Sequence, residues 1–218
     1  MSYFKSCCYS IRLTEKLKSL DTKNVLDFEL INKAIYWARK YHGDQKRKSG
    51  EPYYSHPLEV AYMISEYKLK TDVIVASILH DIIEDTEVTV GMIFDNFGQR
   101  IAQMVDRLTR DRPDGTKLTI EEIITNAYQK EDQEVLLIKF IDRFHNTQTI
   151  HNIPLKKQIA TALETLNYII PYINDVKLWQ LLVLMNTKLA MPDKYSSLEK
   201  LYSTSFSYGK YQLPSLVE

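Results

Sequence analysis

Three separated stretches of the chain carry side chains suited to gripping one divalent cation. They are Arg47-Lys48-Ser49-Gly50 through His56, then His80-Asp81-Ile82-Ile83-Glu84-Asp85, then Asp142-Arg143-Phe144-His145-Asn146. In the middle stretch an imidazole and a carboxylate are adjacent, and two more carboxylates follow a turn later. If residues 72–85 are one helix, His80 stands above Glu84 and Asp81 above Asp85, since residues four apart share a face. The run Val73-Ile74-Val75-Ala76-Ser77-Ile78-Leu79 before them is apolar nearly all round, as in a buried helix. Clustered carboxylates at the end of such a helix are costly unless something pairs with them. A divalent cation would.

His56, His80, Asp81 and Asp142 together give a two-nitrogen, two-oxygen donor set. That set suits a cation that accepts six ligands, such as Mn²⁺. It holds no thiolate, so a closed structural zinc site is disfavoured. Open positions leave room for a water to be activated near neutral pH and to attack phosphorus. Glu84 and Asp85, about one turn on, are placed to orient that water or handle its proton. Arg47 and Lys48 precede His56 in a polar loop. A guanidinium stacks on bases and grips phosphate, and an ammonium neutralises charge. Lys139 and Arg143 add cations near Asp142, and Arg110, Arg112 and Lys117 put three more in the 110–118 loop. His42 and His151 read as structural or surface residues, and Tyr53 and Tyr54 as braces of the loop.

Helices must position these groups. Residues 1–26 are mixed, with a short amphipathic helix over 11–20. Asp27 caps a helix to about Tyr41 that keeps Leu30, Ile31, Ala34, Ile35 and Ala38 inside. Residues 42–55 form a loop, and Pro57 fits the first position of a helix to about Tyr67. Asp72 caps the next helix. Thr89 opens a short one ending near Phe97-Gly98, and 99–109 is periodic at helical spacing. Residues 110–118 form a loop. Thr119-Ile120-Glu121-Glu122 matches a capping box. Asp132 caps a helix through about His145. Further helices cover 155–170 and 175–190 around Pro171, a short one is expected near 195–203, and 204–218 reads as a loosely held tail.

Composition supports this all-α reading and excludes several classes. Six glycines and seven prolines among 218 residues are too few for a turn-rich β fold, while 44% hydrophobic residues suffice for a core. The 28 basic residues balance 28 acidic ones, so no global field attracts nucleic acid or a membrane surface. No run approaches the roughly 18 apolar residues of a membrane span, and the N-terminus lacks the pattern of a secretory signal. Both cysteines, Cys7 and Cys8, are adjacent and poorly placed to bridge each other. They read as a reduced pair in a cytoplasmic protein.

The motifs together are similar to a known family. His42-x-x-Gln45-x-Arg47-Lys48-Ser49-Gly50-Glu51-Pro52-Tyr53-x-x-His56-Pro57, Ile78 through Thr86, Phe97-Gly98, and Ile138 through Asn146 resemble the HD hydrolase domain of RelA/SpoT proteins over about residues 28–170. The resemblance implies an all-helical HD-domain bundle of about 8–11 helices. It also implies Mn²⁺-dependent removal of the 3′-pyrophosphate of ppGpp and pppGpp in stringent-response control. By resemblance the metal ligands fall on His56, His80, Asp81 and Asp142, and the catalytic acids on Glu84 and Asp85. The base-stacking arginine is then Arg47, with Lys48 and Ser49 in the same nucleotide-contacting loop. Asn146 contacts the ribose and nucleotide, with Thr149 a turn later.

There are departures. Asp44 stands where the family usually has glycine, and past Pro171 the family's continuation is lost at Tyr172-Ile173-Asn174-Asp175-Val176. No synthetase domain follows, so the chain resembles a stand-alone small alarmone hydrolase. Residues 1–26 are expected as an N-terminal extension, 27–203 as the HD hydrolase domain and 204–218 as the tail. Two other readings stand beside this one. The first is a related phosphohydrolase acting on another nucleotide such as NADPH. The second is a non-catalytic alarmone-binding module, which would have no need of Glu84 and Asp85. Sequence leaves the oligomeric state open.

Overall fold

The computed structural model describes residues 7–112, 115–192 and 194. The expected helix over 195–203 and the tail over 204–218 lie outside the described residues. The chain divides into two compact units, Met1–Asp142 and Arg143–Glu218.

The first unit begins with α1 (Cys8–Leu20), α2 (Phe28–His42), α3 (Ser55–Ile64) and α4 (Thr71–Leu79). It continues through α5 (Ile82–Asp85), α6 (Val90–Phe97), α7 (Gln99–Leu108), α8 (Ile120–Gln129) and most of α9 (Gln133–Gln148). The second unit takes the end of α9, a 3-10 turn η1 (Ile150–Asn152), α10 (Leu155–Tyr168), a second turn η2 (Ile170–Tyr172) and α11 (Val176–Ala190). Among the described residues there is no strand, only isolated bridges at Lys46–Pro52 and Asp111–Lys117. The all-α expectation holds.

Local chemistry sets most of the boundaries. The Asp27 carboxylate accepts from the Leu30 N–H at 2.9 Å and starts α2. Thr119 and Glu122 form the reciprocal capping box that starts α8. Asp132 accepts from the Val135 N–H at 3.2 Å at the head of α9. Gly98, at φ 85°, ends α6 and starts α7 within one residue, a conformation open to glycine at little cost.

Five expected boundaries shift, one of them the end of α3, at Ile64 rather than near Tyr67. α1 begins earlier than residue 11, because Cys7 is its N-cap and shares a capping box with Ser10. Pro57 is third rather than first in α3, since the Ser55 and His56 N–H groups already turn back onto the Pro52 and Tyr53 carbonyls. Proline is tolerated anywhere in a first turn, where its missing N–H has no helical partner. Asp72 lies inside the first turn of α4, with Lys70 as N-cap, and its carboxylate pairs with Arg100 at 2.7 Å instead. α9 runs on to Gln148 rather than ending near His145.

α4 is the centre of the first unit. It packs against α2, α3 and α7, and Val73 through Leu79 are all buried. α1 packs on α3, where Arg12 pairs with Glu59, Lys16 pairs with Glu66, and both cations lie over the Tyr62 ring. α4 and α3 therefore hold their ends against a fixed background. Truncating Ile74, which is fully buried, to alanine is expected to cost about 2–5 kcal/mol of unfolding free energy in denaturant titration.

Candidate metal centre

His56 lies in the first turn of α3 and His80 at the C-terminal end of α4. Asp81 precedes α5, and Asp142 is on α9. The fold brings all four together. His56 Nε2 is 3.2 Å from Asp81 Oδ2 and 3.1 Å from Asp142 Oδ1. His80 Nε2 is 3.0 Å from Asp81 Oδ1 and 3.6 Å from Asp142 Oδ1. Ligand atoms of His56, His80 and Asp142 lie within 4.8 Å of one another. Donors around an ion with bonds near 2.1 Å sit roughly 3 Å apart, so these spacings suit a shared cation.

The continuous helix expected over 72–85 is broken, and the break matters. Successive residues of a straight helix point about 100° apart, so His80 and Asp81 could not both face His56. Asp81 instead adopts φ −100°, ψ −6°, between α4 and α5. The His80 ring turns back and donates through Nδ1 to the Ser77 carbonyl at 2.8 Å. In an unbroken helix that carbonyl would accept from residue 81. The bond fixes the tautomer that leaves Nε2 as an electron-pair donor. His80 Nε2 is buried and, for all its close carboxylates, has no aligned hydrogen-bond partner. A buried imidazole nitrogen aimed at carboxylate oxygens without a hydrogen bond fits a cation between them.

The electrostatics agree. Burial pushes the His80 imidazole down, but the Asp81 and Asp142 carboxylates outweigh it and lift its pKa to about 10. Burial raises Asp81, yet His80 and His56 hold it well below the usual carboxylate range. For Asp142 burial is again outweighed, here by Lys139 first and then by the two histidines. The carboxylates hold positive charge wherever they find it, and a divalent ion competes with those protons.

The Asp85 N–H donates to the Asp81 carbonyl at 3.2 Å, one turn back, while the carboxylates of Glu84 and Asp85 find partners from elsewhere in the chain. The Glu84 carboxylate accepts from the backbone N–H of Arg110. Asp85 Oδ2 accepts from the Tyr53 hydroxyl at 2.6 Å. Burial is the first cause raising the pKa of each, only partly offset by those hydrogen bonds, and the neighbouring Asp81 carboxylate raises both further. Carboxyls tuned upward can exchange protons closer to neutral pH.

Arg47, Lys48 and Ser49 sit at the tip of a tight hairpin within residues 42–55. Arg47 N–H donates to the Glu51 carbonyl and Gly50 N–H to the Arg47 carbonyl, both at 2.9 Å. Gly50 closes that turn at φ 90°. Arg47 is half-buried, while Lys48 and Ser49 are exposed. Asn146 lies on α9 four residues after Asp142. Thr149 follows the end of that helix, its N–H on the Asn146 carbonyl at 3.3 Å. Both belong to the second unit.

The extra cations distribute unevenly. Lys139 is buried, with its ammonium 3.4 Å from Asp142 Oδ2. Lys117 pairs with Asp111, Arg112 lies near Asp106, and Arg143 pairs with Glu164. Sequence reasoning missed the Ser77 carbonyl and the Arg110 N–H, and it placed Gln45 in a motif without giving it a partner. Only the first carries a local signal, because a residue three before a helix-terminal histidine is within reach of its ring.

Residues 34–168 match the HD domain.

The chain belongs to the HD-domain family.

Its relatives include long proteins. The chain is 33% identical to a guanosine-3′,5′-bis(diphosphate) 3′-pyrophosphohydrolase of Aquifex aeolicus, over 78% of this chain and 25% of that one. It is 38% identical to a GTP pyrophosphokinase of Myxococcus xanthus, over 68% of this chain and 21% of that one. The HD domain described here thus spans about a quarter or less of these curated relatives. A solved structure of a metazoan ortholog of SpoT, described as hydrolysing ppGpp, superposes with a TM-score of 0.54 at 19% identity. It covers 79% of this chain and 94% of that one, and the likeness shows the fold. Among the described residues no helix is long and apolar enough to cross a membrane.

Proposed function

We propose that this HD domain hydrolyses the 3′-pyrophosphate of ppGpp or pppGpp, giving GDP or GTP and pyrophosphate, with Mn²⁺ as its ion. The observation that carries this reading is the convergence of His56, His80, Asp81 and Asp142 beside two carboxyls of raised pKa. The names of the relatives supply the substrate class.

His56, His80, Asp81 and Asp142 would hold the ion, a mixed nitrogen and oxygen set without thiolate that suits Mn²⁺. When bound, it would supply Lewis acidity at phosphorus and make an attacking water more acidic. Glu84 is steadied through one carboxylate oxygen by the Arg110 N–H, and can hold or pass a proton through the other. Asp85, held by Tyr53, is its partner in that role. Lys139 offsets part of the carboxylate charge that would repel an incoming pyrophosphate. Arg47 stacks on the guanine, and Lys48 and Ser49 contact the nucleotide from the same hairpin. Asn146 and Thr149 keep the ribose and nucleotide contacts that the resemblance implies. The partner is a small nucleotide rather than nucleic acid or membrane, in keeping with 28 basic against 28 acidic residues, and the setting is cytoplasmic.

The test is product analysis of purified protein with ppGpp, with Mn²⁺ added or chelated. GDP and pyrophosphate that appear only with metal are the expected result. Intact ppGpp under every divalent ion tried rejects the reading, and tight binding without turnover makes the chain a binding module. Faster release of phosphate from NADPH, run in parallel, moves the substrate.

A further inference from the structure

The 45–53 hairpin is closed by its own bonds. Tyr53 N–H donates to the Gln45 carbonyl at 2.8 Å, Lys46 bridges Pro52, and Arg47 N–H donates to the Glu51 carbonyl. Its two stems nevertheless spend two further side chains on one distant residue. The Tyr53 hydroxyl donates to Asp85 Oδ2 at 2.6 Å, and Gln45 Nε2 donates to the Asp85 backbone carbonyl at 2.8 Å. Neither bond is needed to shut the loop.

Asp85 needs both. It ends α5, a helix of four residues, too short to be stable by itself. Its carbonyl is among the last of the helix, which has no intrahelical partner. Its side chain would otherwise sample several rotamers. Behind the pair stands His42, buried at the end of α2. Its ring stacks on Tyr53 with centroids 4.7 Å apart, and its Nδ1 lies 3.0 Å from Gln45 Oε1. The amide orientation follows from the network. Gln45 must turn its NH₂ toward the Asp85 carbonyl, because two carbonyl oxygens there would repel. Its Oε1 is then left to accept from His42 Nδ1–H. Burial lowers the pKa of His42, which keeps the ring neutral and in that tautomer.

We infer that Tyr53 and Gln45, backed by His42, are positioning residues that latch Asp85 to the two stems of the hairpin bearing Arg47, Lys48 and Ser49. Binding at the hairpin tip is thereby coupled to the placement of one acid–base carboxyl. The kinetic part of this inference rests on the hydrolase reading above, whereas the latch itself does not.

Tyr53→Phe keeps the ring on His42 and removes only the hydroxyl. Two readouts test it. The first is the titration of the Asp85 carboxyl carbon by nuclear magnetic resonance, in the metal-free protein and without nucleotide. Loss of a donor to the carboxylate is expected to move the Asp85 midpoint upward in Tyr53→Phe. Amide exchange at Tyr53 and Arg47 is expected to quicken when the latch is cut from the other side by Asp85→Ala. The second readout is turnover. In Tyr53→Phe, kcat is expected to fall about 10- to 100-fold, the scale of a small misplacement of a reacting group. KM is expected to hold within about threefold, because the nucleotide contacts remain. An Asp85 midpoint unmoved by Tyr53→Phe overturns the latch. So does an unchanged kcat in that variant when the wild-type protein is active. A wild-type protein inactive on ppGpp rejects the hydrolase reading instead, and the carboxyl titration and amide exchange then decide the latch alone.

Discussion

Asp81→Ala is expected to weaken Mn²⁺ binding by more than about 100-fold and to abolish turnover. Loss of a group that merely supports a metal ligand costs about 10- to 100-fold in affinity, so loss of a proposed ligand costs more. Asp81 bridges the cluster, with one oxygen 3.0 Å from His80 Nε2 and the other 3.2 Å from His56 Nε2. Glu84 and Asp85 are held away by Arg110 and Tyr53 and cannot take its place. Calorimetry with Mn²⁺ checks the affinity, and circular dichroism checks that the helices persist. Unchanged Mn²⁺ affinity in a folded Asp81→Ala protein would remove Asp81 from the site.

Glu84→Gln should separate chemistry from metal binding. The amide oxygen can still accept from the Arg110 N–H, so the local structure has reason to survive. The proton-transfer function cannot. A loss in kcat of about 10²- to 10⁴-fold is expected, the usual worth of a positioned acid or base, with Mn²⁺ affinity little changed. The pH dependence has a defined sign. Burial raises the Glu84 pKa above the ordinary glutamate value, outweighing the Arg110 N–H and Lys139, which lower it. If Glu84 acts ionised, activity falls as pH drops through that raised pKa, at higher pH than an exposed glutamate would give. The acidic limb of the wild-type pH–rate profile should be absent or displaced in Glu84→Gln. Full activity in that variant would give the role to Asp85 alone.

Sequence made the helices legible wherever a local rule governs them. Asp27, Thr89, Thr119 and Asp132 each cap the helix that follows, and each is a short side chain ahead of an apolar run. Asp72 fits the same rule and still does not cap, because Arg100, from another helix, takes its carboxylate. The central site was legible as a set of residue types, since chelation needs imidazoles and carboxylates at the ends of buried segments. Its geometry was not. The break between α4 and α5 depends on the His80 ring taking the Ser77 carbonyl, which periodicity cannot register. The partners of Glu84 and Asp85 lie 26, 32 and 40 residues away in sequence, so they exist only after the helices have packed. The loop cations show the same limit. Lys117 and Arg112 read as added cations of the 110–118 loop, and the fold places each beside a carboxylate close in sequence. The exposed Lys117–Asp111 pair is weak and does not bar exchange with an anionic ligand.

Anomalous diffraction from crystals soaked in Mn²⁺ would show whether these four side chains hold one ion. One strong peak is expected, enclosed by His56 Nε2, His80 Nε2 and the carboxylates of Asp81 and Asp142. No peak there at saturating metal, or a peak ligated by other residues, would contradict it.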